Sequence, residues 1–193
     1  MQNPRPQVPP ALAIGVAIVA ASSASILIRY AQAEAPSLVI AAYRLAIATL
    51  ILAPVVVLRA GHDLSALTPR NVRLTMVAGG FLALHFATWI RSLEFTSVAS
   101  SIVLVQTAPL MVAALSPLTI REPILRRLLI GLLVATAGSL LVGLSDACFG
   151  TNCVAAPEIL GGPALKGDLL ALGGAAAGAG YILTGRVVRR QVS

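Results

Sequence analysis

Six stretches of this chain run for at least seventeen residues with almost no charge: Ala11–Ile28, Leu38–Leu58, Leu74–Ile90, Val98–Ile120, Leu128–Leu144 and Leu169–Gly185. Within them, Arg44 is the one Asp, Glu, Lys or Arg residue and His85 the one histidine. A helix needs ~20 mostly apolar residues to cross a bilayer, with a working range of ~17–25. Backbone groups in hydrocarbon must be bonded internally, which leaves only helices or closed barrels. Barrel strands alternate polar and apolar residues over ~10 positions, and these runs do not. The expected fold is therefore all-α and integral to a membrane, with six transmembrane helices.

Composition closes off the soluble alternative. Hydrophobic residues make up 58% of the 193 and charged residues 11%, against roughly 25% charged in soluble domains. A soluble domain of this length has too much surface to hide that many apolar side chains. The net charge of +7 does not point to nucleic acid. Such binding needs a continuous basic face, often with stacking aromatics, and here short basic clusters punctuate apolar runs that hold few aromatic residues. Arginine outnumbers lysine thirteen to one, a bias of GC-rich coding that suggests a bacterial source.

The cations instead report orientation. If the six spans alternate, Arg5, Arg59, Arg70, Arg73, Arg121, Arg126, Arg127, Arg186, Arg189 and Arg190 fall on one side, and Arg29, Arg91 and Lys166 on the other. Cytoplasmic loops carry the excess of Lys and Arg. The expectation is a multi-pass protein of the bacterial inner (plasma) membrane with its N-terminus in the cytoplasm. No cleavable signal peptide is evident, and residues 1–10 read as a cytoplasmic tail. Cys148 and Cys153 then fall in a periplasmic loop over 146–168, where disulfides persist. They are a disulfide candidate, with two free thiols as the alternative. Without a nearby third Cys or His they make a poor zinc site.

Four stretches carry a resemblance. The first is Ser25-Ile-Leu-Ile-Arg29 with Pro36 and Tyr43-Arg44-Leu45. The second is Ala87 to Ala99, with Pro109 further along. The third is Arg121-Glu122 with Gly131 and Gly138. The fourth is Gly167-Asp168-Leu-Leu170. In this order, on these spans, they resemble the EamA family of the drug/metabolite transporter superfamily. The resemblance implies ten spans in two inverted five-helix repeats, with a substrate site near the midplane. Residues 11–145 correspond to the first repeat (spans 11–28, 38–58, 74–90, 98–120 and 128–144). Residues 169–193 correspond to the first helix of a second repeat. The chain would then be the N-terminal part of a longer transporter.

Several residues within the spans are candidates for a substrate path. His85 comes eleven residues into its span, ~16 Å deep at ~1.5 Å per residue. It is placed to bind a substrate or carry a proton; the alternative is a neutral imidazole bonded to a neighbouring helix. Trp89 shares its face and either lines the same cavity or anchors the interface. Arg44 either snorkels to headgroups or holds an anionic group bidentately. Span 4 brings Ser97, Ser101 and Thr107, with Pro109 able to kink the helix; such hydroxyls also serve as interhelical glue. Gly174 and Gly178 form a GxxxG pair suited to close packing.

No Walker loop, HExxH or GxSxG motif is present. A built-in ATPase is thereby excluded, and nothing points to an enzyme or a cofactor. The function expected is a secondary transporter of small metabolites, read as an exporter that lacks its own ATPase. The alternative is a non-transporting membrane subunit that packs through small-residue helix faces. The expected partners are the lipid bilayer, a small-molecule substrate, and the remaining helices of the second repeat or another copy, with no nucleic acid.

Overall fold

The computed structural model describes residues 9–65, 67–119, 125–147 and 162–192. Every regular element in them is a helix: α1 Pro10–Ala31, α2 Ser37–Ser65, α3 Pro69–Ser92, α4 Val98–Val105, α5 Ala108–Thr119, α6 Arg126–Ala147 and α7 Gly162–Val192. The cysteines Cys148 and Cys153 lie outside the described residues.

Local chemistry sets several helix starts. Pro10 and Pro69 open α1 and α3, at the position where a missing N–H costs nothing. The Thr68 hydroxyl accepts the Asn71 amide at 3.3 Å. The Ser97 hydroxyl accepts the Ser100 amide at 3.0 Å. Each such cap is worth about 1 kcal/mol to its helix.

The fourth apolar run is not one straight helix. It breaks at Gln106 and Thr107, between α4 and α5. Pro109 sits just beyond the break, where its ring and missing N–H disfavour continuation from the preceding turn. The Thr107 amide turns to the Leu104 carbonyl at 3.1 Å, and the Leu110 and Met111 amides take up the Thr107 carbonyl.

Two helices run well past the apolar windows that announced them. α2 continues to Ser65, and α7 begins at Gly162, inside the expected 146–168 loop. The apolar count measures only the hydrocarbon thickness, whereas helix continues into polar surroundings as long as its backbone bonds are made.

Among the described residues, four segments are long and apolar enough to cross a membrane: Pro10–Ala31, Ser37–Arg59, Pro69–Ser92 and Val98–Thr119. The last joins α4 and α5 across the break. α7 is richer in Ala and Gly and is packed among α3, α4 and α5, so protein rather than solvent covers much of it. Large apolar side chains such as Leu50 and Leu58 on α2, Val19 and Leu27 on α1 and Leu141 on α6 stand exposed. On a water-soluble protein such a surface would be an aggregation liability; in a bilayer it is ordinary.

The contact of α7 with α3 and the α3–α4 turn is the most extensive in the bundle. At Gly167 an added Cβ would fall 2.8 Å from the Thr96 Cβ and 2.9 Å from its backbone nitrogen. At Gly178 it would fall 3.0 Å from His85 Nδ1. Small residues let the two backbones approach, so the Gly174–Gly178 pair is used within the chain. Ala171 and Ala175 are fully buried on the same helix.

Candidate functional site

Trp89 stands where four helices meet. It belongs to a buried cluster with Ile28 of α1, Ala41 of α2, its α3 neighbour Ile90, Leu93 just past the end of α3, and Val105 of α4. Its indole is 8% exposed, and its Nε1 is buried without a hydrogen-bond partner. Phe86 packs on this cluster one turn back along α3. From α2, the Arg44 guanidinium lies 4.7 Å from the Phe86 ring centroid and 5.7 Å from that of Trp89. A cation facing aromatic π-systems is attracted by about 0.5–2 kcal/mol, more as water is excluded.

His85 is on the same helix but turns to a different neighbour. Its Nδ1 lies 2.8 Å from the Gly174 carbonyl oxygen of α7. A carbonyl only accepts, so Nδ1 carries the proton, and in the neutral ring Nε2 is left as the acceptor. The imidazole meets Phe86 edge-on at 5.0 Å and stacks with Trp89 at 6.1 Å. His85, Phe86, Trp89 and Arg44 thus form one continuous aromatic and cationic group on α2 and α3, tied to α7 through His85.

The span 4 residues have mostly local partners. Ser101 is fully buried, with its hydroxyl 2.6 Å from that of Ser92. Ser92 also donates to the Trp89 carbonyl at 2.7 Å, which ties Ser101 to the backbone beneath the indole. Ser97 caps α4. The Thr107 hydroxyl donates to the Leu104 carbonyl at 2.6 Å. Pro109 is exposed in the first turn of α5. The structure therefore brings His85, Trp89 and Arg44 together, sets Ser101 directly behind them, and gives Ser97, Thr107 and Pro109 roles in the shape of α4 and α5.

Two polar clusters at the same end of the bundle were missed by the sequence reading. In the first, the Gln32 amide donates to Ser37 Oγ at 2.8 Å and to the Ile90 carbonyl at 2.7 Å. Ser37 in turn donates to the Glu94 carboxylate. Arg91 closes this group with a 2.7 Å ion pair to Glu94. The cluster fastens the α1–α2 turn to the end of α3. In the second, the Asp168 carboxylate of α7 accepts from the Thr96 and Ser100 hydroxyls, each at 2.9 Å. Phe95 lies between Lys166 Nζ at 4.3 Å and Arg91 at 5.2 Å. Asp168 and Thr96 already stood among the residues that carry the resemblance. Glu94 also lies within the Ala87–Ala99 stretch; Gln32 and Ser37 gave no signal, since each is an ordinary polar residue of a turn or helix end. Among the described residues no three His, Cys, Asp or Glu side chains converge on a metal-sized site.

A bundle of long apolar helices with an apolar exterior, and with histidine, tryptophan and arginine held between its helices, defines a polytopic membrane protein. The EamA-like transporter family matches residues 9–144, α1 through most of α6. That match covers well over half of the chain, which therefore belongs to this family, a family of membrane transporters within the drug/metabolite superfamily. No curated relative and no solved structure matches it.

Proposed function

We propose that the chain is part of a secondary exporter of small metabolites whose path runs between α2, α3, α4 and α7 and is lined by His85, Trp89 and Arg44. The observation that carries this reading is the convergence of those side chains at the meeting of four helices, inside the segment that matches the family. Ionisable residues within a span are rare and usually mark a substrate or ion path. With no Walker loop in this sequence, the energy comes from an ion or substrate gradient, or from a partner. In this reading α6 and α7 also cross the bilayer, giving six spans. α1 to α6 form the first of two inverted repeats, α4 and α5 counting as one span, and α7 opens the second. The membrane is a bacterial inner membrane, with the N-terminus in the cytoplasm, as the loop arginines favour. The Gln32–Ser37–Glu94 and Asp168–Thr96–Ser100 clusters then lie on the periplasmic side.

The test is flux. The protein is reconstituted in liposomes loaded with labelled metabolites, and release is followed with and without an imposed proton or sodium gradient. Gradient-dependent release that His85→Ala and Trp89→Ala reduce supports the reading. Release no faster than from empty liposomes, across a broad panel of amino acids, nucleobases and organic acids, defeats it.

A further inference from the structure

Arg44 and Trp89 share an unusual electrostatic condition. Arg44 lies seven residues into α2, and its guanidinium is set over two neutral rings. Among the described residues, no carboxylate pairs with Arg44. Aromatic faces attract a cation but do not neutralise it, and an uncompensated charge within a span is costly. Beside it, the Trp89 Nε1 is a buried donor with no acceptor, whereas a buried indole N–H normally finds one. A guanidinium presents five N–H donors in a planar fork. The site is therefore rich in donors, carries a positive charge, holds no carboxylate among the described residues, and is walled by Phe86, Ile28 and Ala41.

We propose that Arg44 and Trp89 form an anion subsite that takes the carboxylate of a small organic acid, with the acid's apolar or aromatic body against Phe86. Two parallel N–H···O bonds from the guanidinium match the two oxygens of a carboxylate. A carboxylate has further lone pairs free for the indole N–H. Binding supplies the missing counter-charge to Arg44 and the missing acceptor to Trp89 in one step. This assignment rests on the transport reading above for its purpose, and on Arg44 and Trp89 alone for its chemistry. A phospholipid headgroup offers the same oxyanion chemistry from a different source, and the experiment separates the two.

Trp89 is the one tryptophan in the chain, so intrinsic fluorescence reports on this site directly. The purified protein in lipid-free neutral detergent is titrated with benzoate and, separately, with benzamide, which has the same shape and no charge. The expected result is a saturable emission change with benzoate and none with benzamide. Arg44→Gln weakens the benzoate response at least about tenfold. Arg44→Lys, which keeps the charge but loses the fork, falls between. Melting temperatures of both variants confirm that the fold survives; should Arg44→Gln not fold, Arg44→Lys carries the comparison. Equal responses to benzoate and benzamide, or an unchanged benzoate response in the folded Arg44 variants, overturn the subsite. Phosphatidylglycerol that shifts the emission and is not displaced by benzoate makes the headgroup the occupant and overturns the solute assignment. Flux then separates this inference from the transport reading. Benzoate binding without flux of any solute keeps the subsite and removes transport. Flux of neutral solutes that His85→Ala reduces, without benzoate binding, keeps transport and removes the subsite.

Discussion

The imidazole of His85 is fastened to α7 through the carbonyl of Gly174, 2.8 Å from Nδ1 and eighty-nine residues away in sequence. The contact exists because Gly174 and Gly178 have no side chains. A Cβ on Gly174 would stand 3.1 Å from the Thr88 hydroxyl, and one on Gly178 3.0 Å from Nδ1 itself. The histidine that sequence reasoning placed near mid-membrane is thus both a structural tie and a neighbour of Trp89 and Arg44.

Removing that tie has a calculable consequence. Hydrogen bonds between helices in a membrane average about 0.6 kcal/mol and reach about 1.7. His85→Ala loses the bond and leaves space against α7, so stability should fall by about 1–2 kcal/mol. His85→Gln keeps an N–H donor and should lose less. Thermal melting in detergent measures both. If transport depends on hydrogen bonding at this position, His85→Gln retains part of the flux; if it depends on protonation, His85→Gln has none while melting close to wild type.

The close approach of α7 to the α3–α4 turn predicts opposite outcomes for two glycines. Gly167→Ala puts a methyl 2.9 Å from the Thr96 backbone nitrogen, an atom with no rotamer to escape into. Overpacking of this kind costs about 1–3 kcal/mol. At Gly173 nothing lies within 4 Å of an added Cβ, so Gly173→Ala should be neutral or gain up to about 1 kcal/mol in helix propensity. Paired melting curves decide the matter; equal losses at both sites contradict the packing described.

Asp168 should behave as a charge-assisted latch between α7 and the start of α4. Its Oδ1 accepts both the Thr96 and the Ser100 hydroxyl, and bonds to a charged acceptor are worth about 1.5–3 kcal/mol each at most. Asp168→Asn keeps an oxygen for both donors and should cost under about 1 kcal/mol. Asp168→Ala leaves both hydroxyls without it and should cost about 1–3 kcal/mol. Hydrogen exchange at the α3–α4 turn should rise in Asp168→Ala and hold in Asp168→Asn.

Orientation can be read with reporters. The loop arginines predict that a periplasm-active enzyme fused after Ser193 stays silent and that one inserted at Asn152 is active. The opposite pattern would invert the bundle and put the Gln32–Ser37–Glu94 cluster on the cytoplasmic face.

The sequence by itself determined the helices, their approximate places and the family. Each follows from local quantities: the length of an apolar run, a proline at a helix start, a glycine or charged pair at a fixed spacing. It also singled out His85, Trp89 and Arg44, because a titratable, indole or cationic side chain within an apolar run is conspicuous wherever it points. What only the tertiary structure decided is whom they meet. His85 goes to α7, Trp89 to the junction of α1, α2 and α4, and Arg44 to Phe86. The physical reason lies in the solvent. A soluble helix shows its inward face by being apolar on one side, but lipid and protein interior are both apolar, so a membrane helix such as α1 carries no such mark of its rotation. The break at Gln106 and Thr107 was half legible, since Pro109 announces a kink, but where the helix parts depends on which carbonyls find other donors. Of the Gln32–Ser37–Glu94 cluster only Glu94 stood in a stretch that carries the resemblance: Gln32 and Ser37 are ordinary polar residues until the turn between α1 and α2 folds against the end of α3.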